Sequence, residues 1–504
     1  MSKPKAFLKH SKAKKRSEQG ELQILETADD YLAAGVDHEE AAGKWRAGDA
    51  VKSMRFFSKA IDVYDQGLRK FPNSLDLAYN KARVLLEIAT HPVLVRQLNA
   101  PLLEVLQQAL EAHRYALSLD QDNPDTLFNT AQVLTAIAEA YAKDADRPDQ
   151  DALQPLEEAL ELQDRCLALQ ELRLEQSLQE QREAAAQLET ETAESGASES
   201  TAHPAQDSDA SPATGTEDQW FAIVEPVTKD TLIDTILAEL GTLTTLCSIL
   251  SSSPAAAPTS TLGWIEEFSS KLVQTKLPIL LQDAETEKLQ EIALVKANFS
   301  SGLLEAGYRL GAIDSSTYKR ERDEAFRVPD LDLERNYAGL LANANSLIAF
   351  NSALADGGAS IAASEASQRW NALSAAIANM AKASKISGPV PDDIAETHFI
   401  RGNCSLLQHR LSHPPAFYQP AIANAAQLLK NADVFYRNAS KLYQDDEQKV
   451  ISHVRAAVSQ ALQTGSDILS AAAANAPGKG TEWTTGQIED MVEEGLISLA
   501  FESS

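Results

Sequence analysis

The chain has 504 residues and a formal net charge of −28, with 44% hydrophobic, 6% aromatic and 23% charged residues. That length allows a large core or two to three domains. The charge repels nucleic acid and anionic membranes and favours basic partners. Lean aromatic content, with abundant Ala, Leu, Glu and Gln, points to helices rather than sheets.

Cys166, Cys247 and Cys404 are few, odd in number and far apart, so no disulfide framework is implied and a reducing compartment is expected. The N-terminus lacks the apolar core of a signal peptide, and the sequence reads as a cytoplasmic or nuclear protein without a membrane span.

Residues 1–20 reverse the sign of the chain, with Lys3, Lys5, Lys9, Lys12, Lys14, Lys15 and Arg16. They read as a basic, solvated arm. The run Lys12, Lys14, Lys15 and Arg16 has the character of a nuclear import signal or an RNA-touching tail. A helical block spans 21–189. It opens on Leu22, Ile24, Leu25, Ala28 and Leu32, which share one face.

The stretch from Ala41 to Glu87 organises the block. Gly48, Ala60 and Gly67 fall where two antiparallel helices touch closely, Tyr64 lies on the apolar stripe of the second, and Pro72 follows its stop. Ala82 repeats the place of Gly48 34 residues later, the period of one helical-repeat class. In this small–small–aromatic–small–Pro order the segment resembles the tetratricopeptide repeat (TPR) family. A second copy aligns Ala78–Leu85 with Leu127–Leu134, and further second helices run over 108–119 and 158–169, with the spacing widened by insertions at 90–100 and 143–154. The third second helix runs on through a Glu/Gln-rich tract.

Residues 190–218 are acidic, rich in Ser, Thr, Ala and Pro, and too poor in apolar residues to offset chain entropy. They read as a disordered insertion. The remainder, 219–504, shows helical segments over 228–250, 262–281, 285–310, 315–326, 336–355, 363–384, 393–411, 420–443, 448–469 and 485–500, with no strand pattern. The expected fold is all-α, an α-solenoid of TPR-like antiparallel helix pairs in two blocks.

The resemblance implies a concave surface formed by the first helix of each pair, with ligands against its second, fifth, ninth and twelfth positions. Carried onto this chain, these include Trp45, Tyr79 and Phe128 as an aromatic ladder, flanked by Asp49, Asp76 and Asp125, with Asn80 and Asn129 beside the rings. Rings and carboxylates together suit an extended peptide carrying Lys or Arg. A one-residue slip would instead turn Trp45, Tyr79 and Phe128 into the core, and the sequence leaves both registers open. The family's clamp for chaperone C-terminal carboxylates takes Lys and Asn where Trp45 and Asp49 stand, and Lys and Arg where Asp125 and Asn129 stand, so that use is disfavoured.

His409 and His413 have i, i+4 spacing, but Pro414 and Pro415 follow at once, and the pair reads as a helix C-terminus rather than a metal site. Gly478-Lys479-Gly480-Thr481 lacks the spacing of a phosphate loop. No catalytic motif or cofactor fingerprint is present, so no enzyme, metal or cofactor is expected. The expected function is a non-enzymatic protein-binding scaffold, an adaptor or dedicated assembly chaperone for a basic client such as a ribosomal protein or histone. The alternative is a co-chaperone or structural subunit with non-basic partners.

Overall fold

The computed structural model describes residues 25–144, 147–195, 227–253, 260–282 and 284–498, with backbone alone over 187–195. The basic arm and its Lys12, Lys14, Lys15 and Arg16, together with most of the acidic insertion, lie outside the described residues.

Every regular element among the described residues is helical, and the chain is all-α. In order these are α1 (Ala28–Trp45), α2 (Ala50–Lys70), α3 (Leu75–Thr90), the short α4 (Pro92–Val95), α5 (Leu102–Leu119), α6 (Pro124–Ala142), α7 (Leu153–Ser195) and α8 (Lys229–Ser252). There follow α9 (Ser260–Ser270), α10 (Leu277–Leu280), α11 (Thr286–Arg309), α12 (Ser315–Ala325), α13 (Tyr337–Asp356) and α14 (Ala359–Ser364). The last are α15 (Ala366–Ala383), α16 (Pro391–Arg410), α17 (Gln419–Leu442), α18 (Asp446–Thr464), α19 (Ile468–Ala474) and α20 (Thr481–Glu493).

Short polar residues start several of these helices by accepting orphan backbone N–H groups. Thr27 forms a capping box with Asp30, while Asp49, Ser74, Asn123 and Asp445 cap α2, α3, α6 and α18.

The chain forms two compact units, Met1–Leu246 with Gln274–Leu280, and Cys247–Val273 with Leu281–Ser504. The division suggested by composition, at 190–218, is therefore displaced. α7 continues to Ser195, and α8 up to Leu246 belongs to the first unit, where Ala238 closes a cluster with Leu127, Phe128 and Cys166. By length and apolarity Lys229–Ser252 could cross a membrane, but 72% of its apolar window is buried in the fold.

Within the first unit the pairs are α1/α2, α3/α5 and α6/α7, each packing on the next, with the first helix α3 touching both α1 and α6. In the second unit α11/α12, α13/α15, α16/α17 and α18/α19 follow the same rule. Neighbour-to-neighbour stacking of hairpins is how a helix pair hides an apolar face that it cannot cover alone.

The close-contact glycine of the first pair differs from the expected one. α1 ends at Trp45 and Asp49 already caps α2, so Gly48 lies in the turn with nothing near its missing side chain. Gly35 makes the close approach instead, since a Cβ there would overlap the Tyr64 ring. The second unit repeats the device. A Cβ on Gly402 of α16 would lie 2.6 Å from the ring of Tyr436 on α17.

Candidate functional site

The aromatic ladder is not a surface. Tyr79 and Phe128 are completely buried, and Asn80 and Asn129 are buried beside them. Asn129 donates Nδ2–H to the Tyr79 hydroxyl at 2.9 Å, and Asn80 donates to the Asp76 carbonyl at 2.8 Å. The Tyr79–Asn129 bond ties α3 to α6, and all four side chains are buried away from any partner. The reason is register: the fifth position of α3 and of α6 points inward.

Trp45 is the last residue of α1, not the fifth of its helix, and is 41% exposed with Lys52 Nζ 3.2 Å from the ring centroid. Asp49 is committed to capping α2, accepting from Lys52 N at 2.9 Å. Asp76 and Asp125 stand half-buried in the first turns of α3 and α6. Burial, then the nearby Asp29, raises the Asp76 carboxyl above its ordinary range. The structure thus brings Asp76 and Tyr79 onto one helix but does not assemble the eight residues into one groove.

On the first helices of the first unit lies an ion-pair network that the sequence reading missed. Glu39 of α1 accepts from the Tyr64 hydroxyl at 2.5 Å and pairs with Arg83 of α3. Glu87 pairs with Arg46 and stands 3.8 Å from Arg83. Two carboxylates and two guanidiniums balance within this network.

The second unit holds an open pocket of about 400 Å³ on its first helices, α13 and α16, bordered on one side by Glu494 and Leu496 after α20. Leu341, Ile348, Ile400, Leu407 and Leu496 give it an aliphatic lining, and Asn345, Asn403, Glu396 and Glu494 supply polar groups. Heptad-like spacing places Leu341 and Ile348 two turns apart on α13, and Glu396, Ile400, Asn403 and Leu407 along one stripe of α16.

Glu396, Asn403 and Glu494 are each positioned from behind. Tyr443, after α17, donates its hydroxyl to Glu396 Oε2 at 2.5 Å. Burial, then that carboxylate, raises the Tyr443 phenol above its usual range. Asn403 Oδ1 accepts from the Tyr436 hydroxyl at 2.8 Å and from Arg455 Nη1 at 3.0 Å. Arg455 of α18 also grips both oxygens of Glu494, at 2.7 and 2.5 Å. With Glu494 neutralised by Arg455, Glu396 leaves the pocket one net negative charge over an apolar lining. That arrangement suits a cation on an aliphatic stem, and the amides of Asn345 and Asn403 suit a peptide backbone.

The histidine pair does not add to this site. His409 is buried near the C-terminus of α16, and desolvation pushes its imidazole down to about 4. His413 lies beyond it in the following turn, with ring centroids 4.9 Å apart.

No family model matches the chain. Over 145 residues it is 37% identical to the UPF0656 protein C926.02 of Schizosaccharomyces pombe, covering 28% of this chain and 31% of that protein. Over 94 residues it is 34% identical to the uncharacterized protein YNL193W of Saccharomyces cerevisiae, covering 18% of this chain and 16% of that protein. The matches span less than a third of either relative's own length. Among solved structures, a circular tandem repeat protein with novel repeat topology and enhanced subunit contact surfaces is 12% identical, with a TM-score of 0.29 over 93% of this chain and 96% of that one.

Proposed function

We propose that the protein is a non-enzymatic, TPR-like protein-binding scaffold, an adaptor or dedicated assembly chaperone for a basic client in the cytoplasm or nucleus. The pocket between α13 and α16 takes a lysine or arginine side chain of that client. The observation that carries this reading is Glu396, held by Tyr443 beside five aliphatic side chains and two amides. The net charge of −28 supports it by drawing positively charged chains to the surface. A ribosomal protein or histone is the client class in view, since carboxylates would screen its charge before assembly. The tail of a heat-shock chaperone is disfavoured, because its carboxylates would meet Glu396.

The test is full-length wild type against Glu396→Lys in calorimetric titration with a short peptide of alternating lysine and leucine, followed by affinity capture. Binding should weaken about tenfold or more in the variant and fall as salt rises. Equal binding by both proteins would remove the pocket from the reading. Affinity that ignores salt would favour a co-chaperone or structural subunit with non-basic partners.

A further inference from the structure

One wall of the same pocket is built by Glu494 and Leu496, from the segment 494–498 that follows α20, and its chemistry differs from that of Glu396. α20 ends at Glu493, and Gly495 adopts φ +70°, a left-handed turn that glycine takes without strain. The Leu496 amide then bonds back to the Met491 carbonyl at 2.9 Å. This turn aims the Glu494 carboxylate at Arg455 and sends Leu496 and Ile497 into the core of the second unit, at 1% and 5% exposure. Leu407 of α16 lies 4.0 Å from where a Gly495 Cβ would stand.

The burial is unequal across the ion pair. The Arg455 side chain is 5% exposed and that of Glu494 is 42% exposed. Arg455 belongs to the body of the fold, and Glu494 reaches it from outside. Arg455 is also held without Glu494, since Nη1 bonds Asn403 Oδ1 at 3.0 Å and the guanidinium lies 4.7 Å from the Phe399 ring centroid. The guanidinium is therefore fixed in place whether or not a carboxylate sits on it, which is what a recognition group requires.

We propose that Arg455 and Asn403, with the aliphatic surface around Leu407, form a carboxylate-reading peptide site whose resident occupant is the strap 494–498. Its ligand class is a peptide with a glutamate followed at the second and third positions by aliphatic residues, the pattern Glu494, Leu496, Ile497. With the strap seated, Arg455 is masked and the pocket is net negative. With the strap released, Arg455 is open and the pocket accepts an acidic segment in trans. This site does not depend on the basic-client reading, because its probe is acidic and Glu396→Lys should not weaken it.

The probe is a fluorescent peptide of residues 489–498, titrated by anisotropy against full-length proteins. The double variant Glu494→Lys/Leu496→Asp should release the strap and bind the peptide at least tenfold tighter than wild type. Adding Arg455→Gln, or placing Glu494→Lys in the peptide, should abolish that gain. No binding by a variant that keeps its helical circular dichroism, equal binding by wild type, or binding that survives Arg455→Gln would each overturn the proposal. Should the double variant lose its helical signal, the milder Glu494→Gln carries the test. At least threefold tighter binding than wild type is then expected, and equal binding overturns the proposal.

Discussion

The two units use one device and finish it differently. In each, a glycine on a first helix admits the ring of a tyrosine on the second helix, Gly35 to Tyr64 and Gly402 to Tyr436. In each, the tyrosine hydroxyl bonds a polar side chain of the first helix, and an arginine from the next pair joins it. The first unit places Glu39 at that junction, so Arg83 is neutralised within the stack. The second places Asn403 there, which bonds Arg455 but cannot neutralise it. A carboxylate must then come from elsewhere, and Glu494 of the strap supplies it. One amide in place of one carboxylate turns an internal ion pair into an open-ended one.

The largest effect expected from this contrast is on stability. Glu39→Ala leaves the 11%-exposed Arg83 side chain with only the more distant Glu87, at 3.8 Å, and breaking a buried pair costs up to about 3–5 kcal/mol. Asn403→Ala leaves Arg455 with Glu494, and losing an uncharged partner costs about 1–2 kcal/mol. Urea denaturation of the two variants should rank them in that order, and equal costs would break the comparison.

The units should also differ in their response to pH. Glu239 on α8 is completely buried in the first unit with neither carboxylate oxygen bonded. Desolvation, then the nearby Asp164, raises its carboxyl to about 8. The folded state holds a proton that the unfolded chain has released above about 4.5. Stability from this group is therefore full below that pH and is lost as pH rises through about 8, by on the order of a few kcal/mol. Glu239→Gln should flatten the fall while leaving low-pH stability nearly unchanged. A thermal-melt series from pH 5 to 9 that matches wild type would count against it.

The smallest effect tests the shared part. Gly35→Ala and Gly402→Ala should each cost about 1–3 kcal/mol by overpacking. Gly35→Ala should be the costlier, because its Cβ would overlap the ring more deeply than the 2.6 Å approach at Gly402. A neutral result at either position would mean that the tyrosine can move aside.

The helical hairpins were legible in the sequence because their signals are local. Apolar periodicity placed α11, α12, α13 and α16 to α18 within a few residues. Spacing also identified Tyr64, Ala60 and Gly67 as inward-facing, and all three are buried. The direction of Tyr79 and Phe128 was not legible, because a helix side chain turns 100° per residue and a slip of one position exchanges groove for core. Nor was the pocket, whose polar groups come from α13, α16 and the strap and are held by Tyr436, Tyr443 and Arg455. Glu396 meets Tyr443 across 47 residues and Arg455 meets Glu494 across 39. The amino-acid order determined where the chain coils and which stripe of each coil avoids water. Only the packed helices decided which charges meet, since such pairing depends on distance in space and leaves no periodic mark along the chain.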